Sequence, residues 1–213
     1  MGEDMIKLMD KLKHLIKFNK KLIVFLMVLM IVAITSGSLF VTILNNEDNL
    51  LITEHLKKFI DIIENNKVDY LFVLKNNLIN NIGYIILIWL LGISIIGLPI
   101  IICMFFVKSF ILGFSIGAIM ATFGTKGILL ALIYAFPGQI VSLLFILFLM
   151  MYAMSFSFKL IYTILKKQTI NFKIMINRYL IILLIVFICI LLMTLYDTYL
   201  LPKIIKSFIH FIK

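Results

Sequence analysis

The side chains that most often do chemistry in proteins are few in this sequence, and they stand far apart. His14, His55 and His210 lie in three separate polar segments, and no pair of them has the spacing of metal ligands. Cys103 and Cys189 each fall inside an apolar stretch with no second cysteine nearby. We therefore expect solvated histidines and two buried thiols, with no metal site and no disulfide.

Carboxylates are missing from a long central part of the chain. No Asp or Glu occurs between Tyr70 and Thr194. This argues against an acid–base pair and against a proton-coupling carboxylate in that region, because both need an ionisable acid inside the membrane. HExxH, Walker and glycine-rich dinucleotide motifs are also missing. The residues predict a protein that is not an enzyme and that holds no cofactor.

Composition excludes an ordinary soluble domain. Of the 213 residues, 63% are hydrophobic, and the mean hydropathy is +1.17. A soluble domain averages about 45 to 50% apolar residues, so the surplus must face lipid. The net charge of +10 comes from basic residues in short segments between apolar runs. Such residues meet anionic head groups and set topology, so membrane lipids are predicted partners and nucleic acid is not.

Apolar runs predict an all-α integral membrane protein with about five transmembrane helices in a single membrane domain, residues 1–213. The spans are expected at about 22–44, 82–107, 109–123, 127–158 and 179–201. The second and third spans are divided at Lys108, which is the single charge between Ile82 and Phe123.

Prolines predict two irregular places in the central spans. Gly97 and Pro99 should bend or break the second span, and the freed backbone groups must then be covered by neighbouring helices. Pro137 lies in the middle of 127–158, which is too long for one upright helix. Two readings stay open: a kinked, tilted span, or residues 128–136 dipping into the membrane and returning before a full helix.

Small side chains recur every four residues at Ser109, Gly113, Gly117 and Ala121. This spacing places them on one helix face, which lets a second helix approach closely. The face predicts helix packing, either within the chain or with a partner protein.

The polar segment 45–81 carries six acids against four lysines and is expected outside the cell. Its apolar residues Ile52, Leu56, Phe59 and Ile63 have helical spacing, and a second pattern of this kind follows from Leu71. Two short amphipathic helices are predicted, resting on the outer leaflet, on the spans or on a partner.

Charge predicts the orientation. Basic segments 1–21 and 159–178 are expected inside, which gives a cytoplasmic N-terminus and a C-terminus outside the cell.

The order of these features resembles the stage II sporulation protein M family of endospore-forming bacteria. The similarity is carried by residues 89–140, WLLGISIIGLPIIICMFFVKSFILGFSIGAIMATFGTKGILLALIYAFPGQI, and by the terminal YDTYLLPKI. The family's elements appear in order as Gly92, Leu98 and Pro99, then Lys108, Gly113 and Phe114, then Lys126, Gly127 and Pro137.

The resemblance implies a scaffold and not a catalyst. Such a protein would sit in the mother-cell septal or engulfing membrane and anchor two peptidoglycan-degrading partners, stage II sporulation proteins D and P, during forespore engulfment. Assembly with further copies of the chain stays open. The alternative is a membrane subunit of a transport system that works with a separate ATPase, because broken helices can line a pathway. An intramembrane hydrolase ranks third, since acid–base pairs are missing.

Overall fold

A computed structural model describes residues 20–166 and 172–212, and these residues form helices and no strands. In chain order the helices are α1 (Lys20–Phe40), α2 (Asn46–Glu64), α3 (Tyr70–Gly92), α4 (Gly97–Tyr134), α5 (Ile140–Lys166), α6 (Phe172–Leu195) and α7 (Leu201–Ile212). Residues 1–19 and 167–171, which belong to the two predicted basic inner segments, lie outside the described residues.

Four helical stretches of the described chain are long and apolar enough to cross a membrane: Lys20–Ile43, Tyr70–Gly92, Gly97–Thr163 and Phe172–Phe208. The predicted class, an all-α membrane protein, is confirmed. The third stretch has 67 residues and contains two breaks, at Gly124 and at Phe136, so it is longer than a single crossing. These breaks divide it into two long helices and a short helix between them.

A shared apolar core joins five of the helices. Leu26, Ile85, Phe105, Met150 and Val186 come from α1, α3, α4, α5 and α6 in turn, and all five are fully buried in one cluster. The outward faces of the same helices carry exposed leucines, isoleucines and valines. Apolar residues thus occupy both the core and the outward faces, as expected for a helical bundle that is surrounded by lipid.

The turn that separates the second predicted span from the third was expected at Lys108. The structure has a turn between α3 and α4, at residues 93–96, and none at Lys108. The predicted division at Lys108 is wrong, because α4 continues through this lysine, and its ammonium group contacts the half-buried Asn81 and Tyr84. Pro99 lies in the first turn of α4, where a proline costs little because the amide hydrogens of that turn have no partner within the helix. Gly97 is buried, and a Cβ there would overlap the carbonyl oxygen of Leu91.

The segment predicted outside the membrane is shorter than 45–81. Asp69 caps α3 by accepting a hydrogen bond from the amide of Phe72 at 3.1 Å, and the helix then runs without interruption to Gly92. The second amphipathic helix of the prediction and the start of the span at 82 are therefore one helix. The first half of α3 was predicted as a surface segment because it contains several asparagines.

At Gly124 the chain turns back on itself. Its φ of 58° and ψ of −135° are accessible to glycine and strained for other residues. A Cβ at Gly127 would lie 2.6 Å from the carbonyl oxygen of Ile119, eight residues earlier, which a straight helix would hold far away. Residues 125–134 of α4 thus return alongside the part of α4 that precedes Gly124, which is the chain course of the second reading of 127–158. The extended backbone of Phe136 then starts the chain on a new course into α5.

Residues 125–134 form a small outer cluster with α2 and α7. Ile60, Leu130 and Ile205 are buried there. The last span starts at Phe172, earlier than the predicted 179, and residues Tyr196–Leu200 form a π-helical turn before α7.

Candidate functional site

A partly open cavity of about 780 Å³, with both polar and apolar lining residues, lies between α3, α4 and the start of α5. Its polar lining consists of Asn77, Asn80, Asn81, Tyr84, Lys108, Ser115, Tyr134, Gln139 and Asp197. Both Lys108 and Asp197 stand within stretches that are apolar enough to span a membrane. Ionisable side chains at such positions are costly, so their presence marks this cavity as the candidate site.

Lys108 is held by two residues of α3. Its Nζ donates a hydrogen bond to Oδ1 of Asn81 at 3.2 Å and lies 4.4 Å from the ring centroid of Tyr84. The Asn81 amide in turn donates to the hydroxyl of Thr194 at 3.0 Å. This chain of contacts connects α4 to α6 through α3. It stabilises the half-buried ammonium group of Lys108 through an amide dipole and an aromatic face.

Asp197 also lines the cavity, and it lies in the π-helical turn after α6. Its Oδ2 accepts a hydrogen bond from Nε2 of Gln139 at 2.9 Å. Gly138 makes this approach feasible, because a Cβ at that position would overlap Oδ1 of the same carboxylate. The Pro137-Gly138-Gln139 segment therefore serves to bring an amide to the acid and leaves no room for a side chain at its centre.

The two opposite charges are each tied to a different amide. Within the described residues, Oδ1 of Asp197 and the hydroxyl of Tyr84 are buried without a hydrogen-bond partner. Buried polar atoms normally have partners, so each of these atoms has unused capacity toward the cavity. Asp197 can accept a hydrogen bond from a ligand in the cavity, and Lys108 and Tyr84 can donate hydrogen bonds to one.

The small-residue face of α4 packs against α1 of the same chain. A Cβ at Gly113 would overlap the carbonyl oxygen of Ile34, and one at Gly117 would lie 2.7 Å from that of Ser38. Ser109 is fully buried in this region. Ala121, the fourth residue of the predicted face, is exposed. Three of the four predicted residues are thus brought together, by packing within the chain.

The other predicted packing residues are separated. Gly97 is buried at the turn that starts α4, whereas Pro99 beside it is exposed. Pro137 is half-buried next to the cavity. The two residues after it, Gly138 and Gln139, are the ones that contact Asp197.

The predicted apolar face of α2 is rotated in the structure. Ile63 is buried and Ile52 and Leu56 are half-buried, but Phe59 is 42% exposed. Ile60 takes the buried place instead, because the outer cluster lies on that side of the helix.

Residues 113–117 read GFSIG, which is the GxSxG pattern of many serine hydrolases. In that pattern the serine stands on a sharp turn between a strand and a helix, but Ser115 lies within α4 and donates to the carbonyl of Ile111 at 3.0 Å. Its two glycines serve the contact with α1. Among the described residues, no group of three or more His, Cys, Asp or Glu side chains could hold a metal.

Sequence reasoning missed Asp197 and the three cavity asparagines. Asp197 could have been found, because it is the single acid inside the span predicted at 179–201. The asparagines carried no comparable signal, since a polar run before an apolar one also describes a surface segment.

A protein-family model described as "Stage II sporulation protein M" matches residues 23–202. No curated protein and no solved structure matches the chain.

Proposed function

Since the chain belongs to the stage II sporulation protein M family, we propose that it is a membrane scaffold for cell-wall degradation during sporulation. In this role it anchors peptidoglycan hydrolases, stage II sporulation proteins D and P, in the mother-cell septal or engulfing membrane during forespore engulfment. It does no catalysis of its own. The observation that carries the proposal is the family match over residues 23–202, which overlaps all four described spans.

An orientation with the N-terminus in the cytoplasm and the C-terminus outside accompanies the proposal. The helices α1 and α4 run in parallel, because Gly113 meets Ile34 and Gly117 meets Ser38. The end of α1 and the part of α4 just before Gly124 therefore lie on one side of the bundle. The outer cluster joins α2, residues 125–134 and α7 on a common side, which fits the predicted outer position of α2 and α7. Lys159, Lys173 and Arg178 lie near the opposite ends of α5 and α6, as a cytoplasmic surface would require.

The outer helix α2 is the surface on which we expect hydrolases to dock. Its inner side is fixed to the bundle by Ile60 and Ile63. Its free side presents Leu51, Phe59 and Ile62, which are 55%, 42% and 44% exposed. Apolar residues of a short helix outside the spans are suited to an amphipathic contact with another protein.

The test is co-purification of the tagged chain in mild detergent from sporulating cells. We expect both hydrolases to be recovered with the wild-type chain and to be lost when Leu51, Phe59 and Ile62 are replaced together by Asn. Glu54→Gln, an exposed change on the same helix, is the matched control and should retain both partners. Absence of both hydrolases from the wild-type sample would refute the scaffold. The purified chain should show no hydrolysis of cell wall, and measurable cleavage would refute the non-catalytic role.

A second candidate is favoured by the cavity: a membrane subunit of a transport system that works with a separate ATPase. A polar space lined by Lys108 and Asp197 can receive a polar solute. Recovery of an ATPase without hydrolases in the same co-purification would favour this function over the scaffold.

A further inference from the structure

A scaffold needs no polar cavity among its spans, yet this chain maintains one at considerable cost. A lysine or an aspartate within a membrane-spanning stretch is costly to insert, because its charge leaves water. The two charges are not used to neutralise each other: Lys108 donates to Asn81, and Asp197 accepts from Gln139. Such an arrangement leaves each charge available to a third group of opposite sign.

The free hydrogen-bonding capacity is also of two kinds. An ammonium group has three donors, and a single hydrogen bond of Lys108 is accounted for, to Asn81. The buried hydroxyl of Tyr84, beside this lysine, has no partner among the described residues. Oδ1 of Asp197 is a buried acceptor in the same condition. Lys108 and Tyr84 therefore suit an anion with several oxygens, and Asp197 suits a cation that can donate a hydrogen bond.

One side of the cavity consists of apolar residues that face away from the bundle. Ile100, Cys103, Val107 and Ile111 line it at spacings of three and four residues on α4, and all are exposed. In a membrane, this stripe would touch acyl chains. A ligand with a polar head and an apolar tail can therefore place its head in the cavity without leaving the bilayer.

We propose that the cavity binds the head group of a zwitterionic phospholipid with a primary amine, of the phosphatidylethanolamine type. Lys108 and Tyr84 bind the phosphate, the ammonium group donates to Asp197, and the acyl chains follow the α4 stripe. A cavity of about 780 Å³ falls in the range of about 300 to 1,000 Å³ that is typical of small-molecule sites. An anionic lipid would leave Asp197 unpaired, and a choline head group has no hydrogen to donate to it. This site does not depend on whether the chain anchors hydrolases.

The experiment is native mass spectrometry of the purified full chain with phosphatidylethanolamine, phosphatidylcholine or phosphatidylglycerol at equal concentrations. We expect one ethanolamine lipid to be retained with an affinity about tenfold above that of the other two, since a hydrogen bond to a charged group contributes this much. Equal retention of the three lipids would overturn the proposal, and this comparison on the wild-type chain requires no mutant to fold.

Two variants locate the binding. Asp197→Asn should abolish the preference for ethanolamine over choline, and Lys108→Gln should weaken all three lipids. Lys126→Gln, an exposed lysine that does not line the cavity, is the matched control and should change nothing. A preference that persists in Asp197→Asn would overturn the assignment to this carboxylate, provided that circular dichroism shows native helix content.

The acyl chains are tested by competition. Glycerophosphoethanolamine has the same head group without them, so it should compete at least tenfold less well than the intact lipid. Equal competition would show that the site takes a free zwitterion from solution, and it would refute the lipid as its source.

Discussion

Replacement of Gly113 by alanine is expected to destabilise the bundle, because the added methyl group has no space. An ideal Cβ at this position overlaps the carbonyl oxygen of Ile34, so the backbone of α1 must move away from α4. Overpacking of this kind costs about 1 to 3 kcal/mol. Alanine is favoured over glycine within a helix by about 0.5 to 1 kcal/mol, which offsets part of the cost. The net expectation is a loss of up to about 2.5 kcal/mol.

Gly83 of α3 provides the matched control. It is also within a spanning helix, but an added Cβ would meet no atom within 4 Å. Gly83→Ala should therefore be neutral or stabilising by up to about 1 kcal/mol. The two variants have the same chemical change and differ in whether another backbone lies against the site.

The assay is equilibrium unfolding of the purified chain in mixed micelles with increasing dodecyl sulfate, followed by circular dichroism. Gly113→Ala should unfold at a lower dodecyl sulfate fraction than wild type, and Gly83→Ala at the same or a higher one. Equal midpoints for the two variants would refute the close contact of α1 with α4. Because α1 packs against this face, a bulky residue at Gly113 would disturb the contact of α4 with α1 and would not test the binding of a partner protein.

Three further changes can be measured by the same unfolding titration. Gly124→Ala should cost about 1 to 3 kcal/mol, because alanine is strained at the backbone angles of the fold-back turn; an unchanged midpoint would place the turn elsewhere. Ser157→Ala should cost about 1 to 2 kcal/mol by removing a buried hydrogen bond of 2.6 Å to the end of α3, whereas Ser155→Ala loses a bond within its own helix and should cost less; equal losses would contradict this contact. Ile60→Asn should cost about 2 to 4 kcal/mol and Phe59→Asn about 1 kcal/mol or less, since the first is buried in the outer cluster and the second is exposed; the reverse order would refute the rotation of α2.

Local signals were sufficient for the helices whose surroundings are uniform. The first span, predicted at 22–44, is found as Lys20–Phe40 with a 3-10 turn at Val41–Ile43, although small polar residues interrupt its apolar run. Those residues remain within the helix because the hydroxyls of Thr35 and Ser36 donate to carbonyl groups one turn earlier. Once these hydroxyl groups have partners within the helix, the length of the apolar run predicts the span.

The small-residue face was predictable for the same reason, since a spacing of four residues maps directly onto one side of a helix. Its occupant was not, because nothing in the α4 pattern names the helix that packs there. Gly37 of α1 supplies the complementary gap: a Cβ at that position would overlap the carbonyl oxygen of Phe110. It stands in the short polar group of the first span, where its packing role has no distinct signature.

The errors at Lys108 and in the asparagine-rich part of α3 have one physical cause. A polar residue inside an apolar run can be satisfied by water at a turn or by another polar residue in the bundle, and periodicity does not distinguish the two. Lys108 and Asn81 are 27 positions apart and hydrogen-bond to each other. The sequence does not show this pairing, so Lys108 was assigned to a turn and Asn81 to a surface segment. The same reasoning applies to Gln139 and Asp197, which are 58 positions apart. Intramembrane polar residues should therefore be assessed as candidate pairs before any is assigned to a loop, and in this chain those pairs line the cavity.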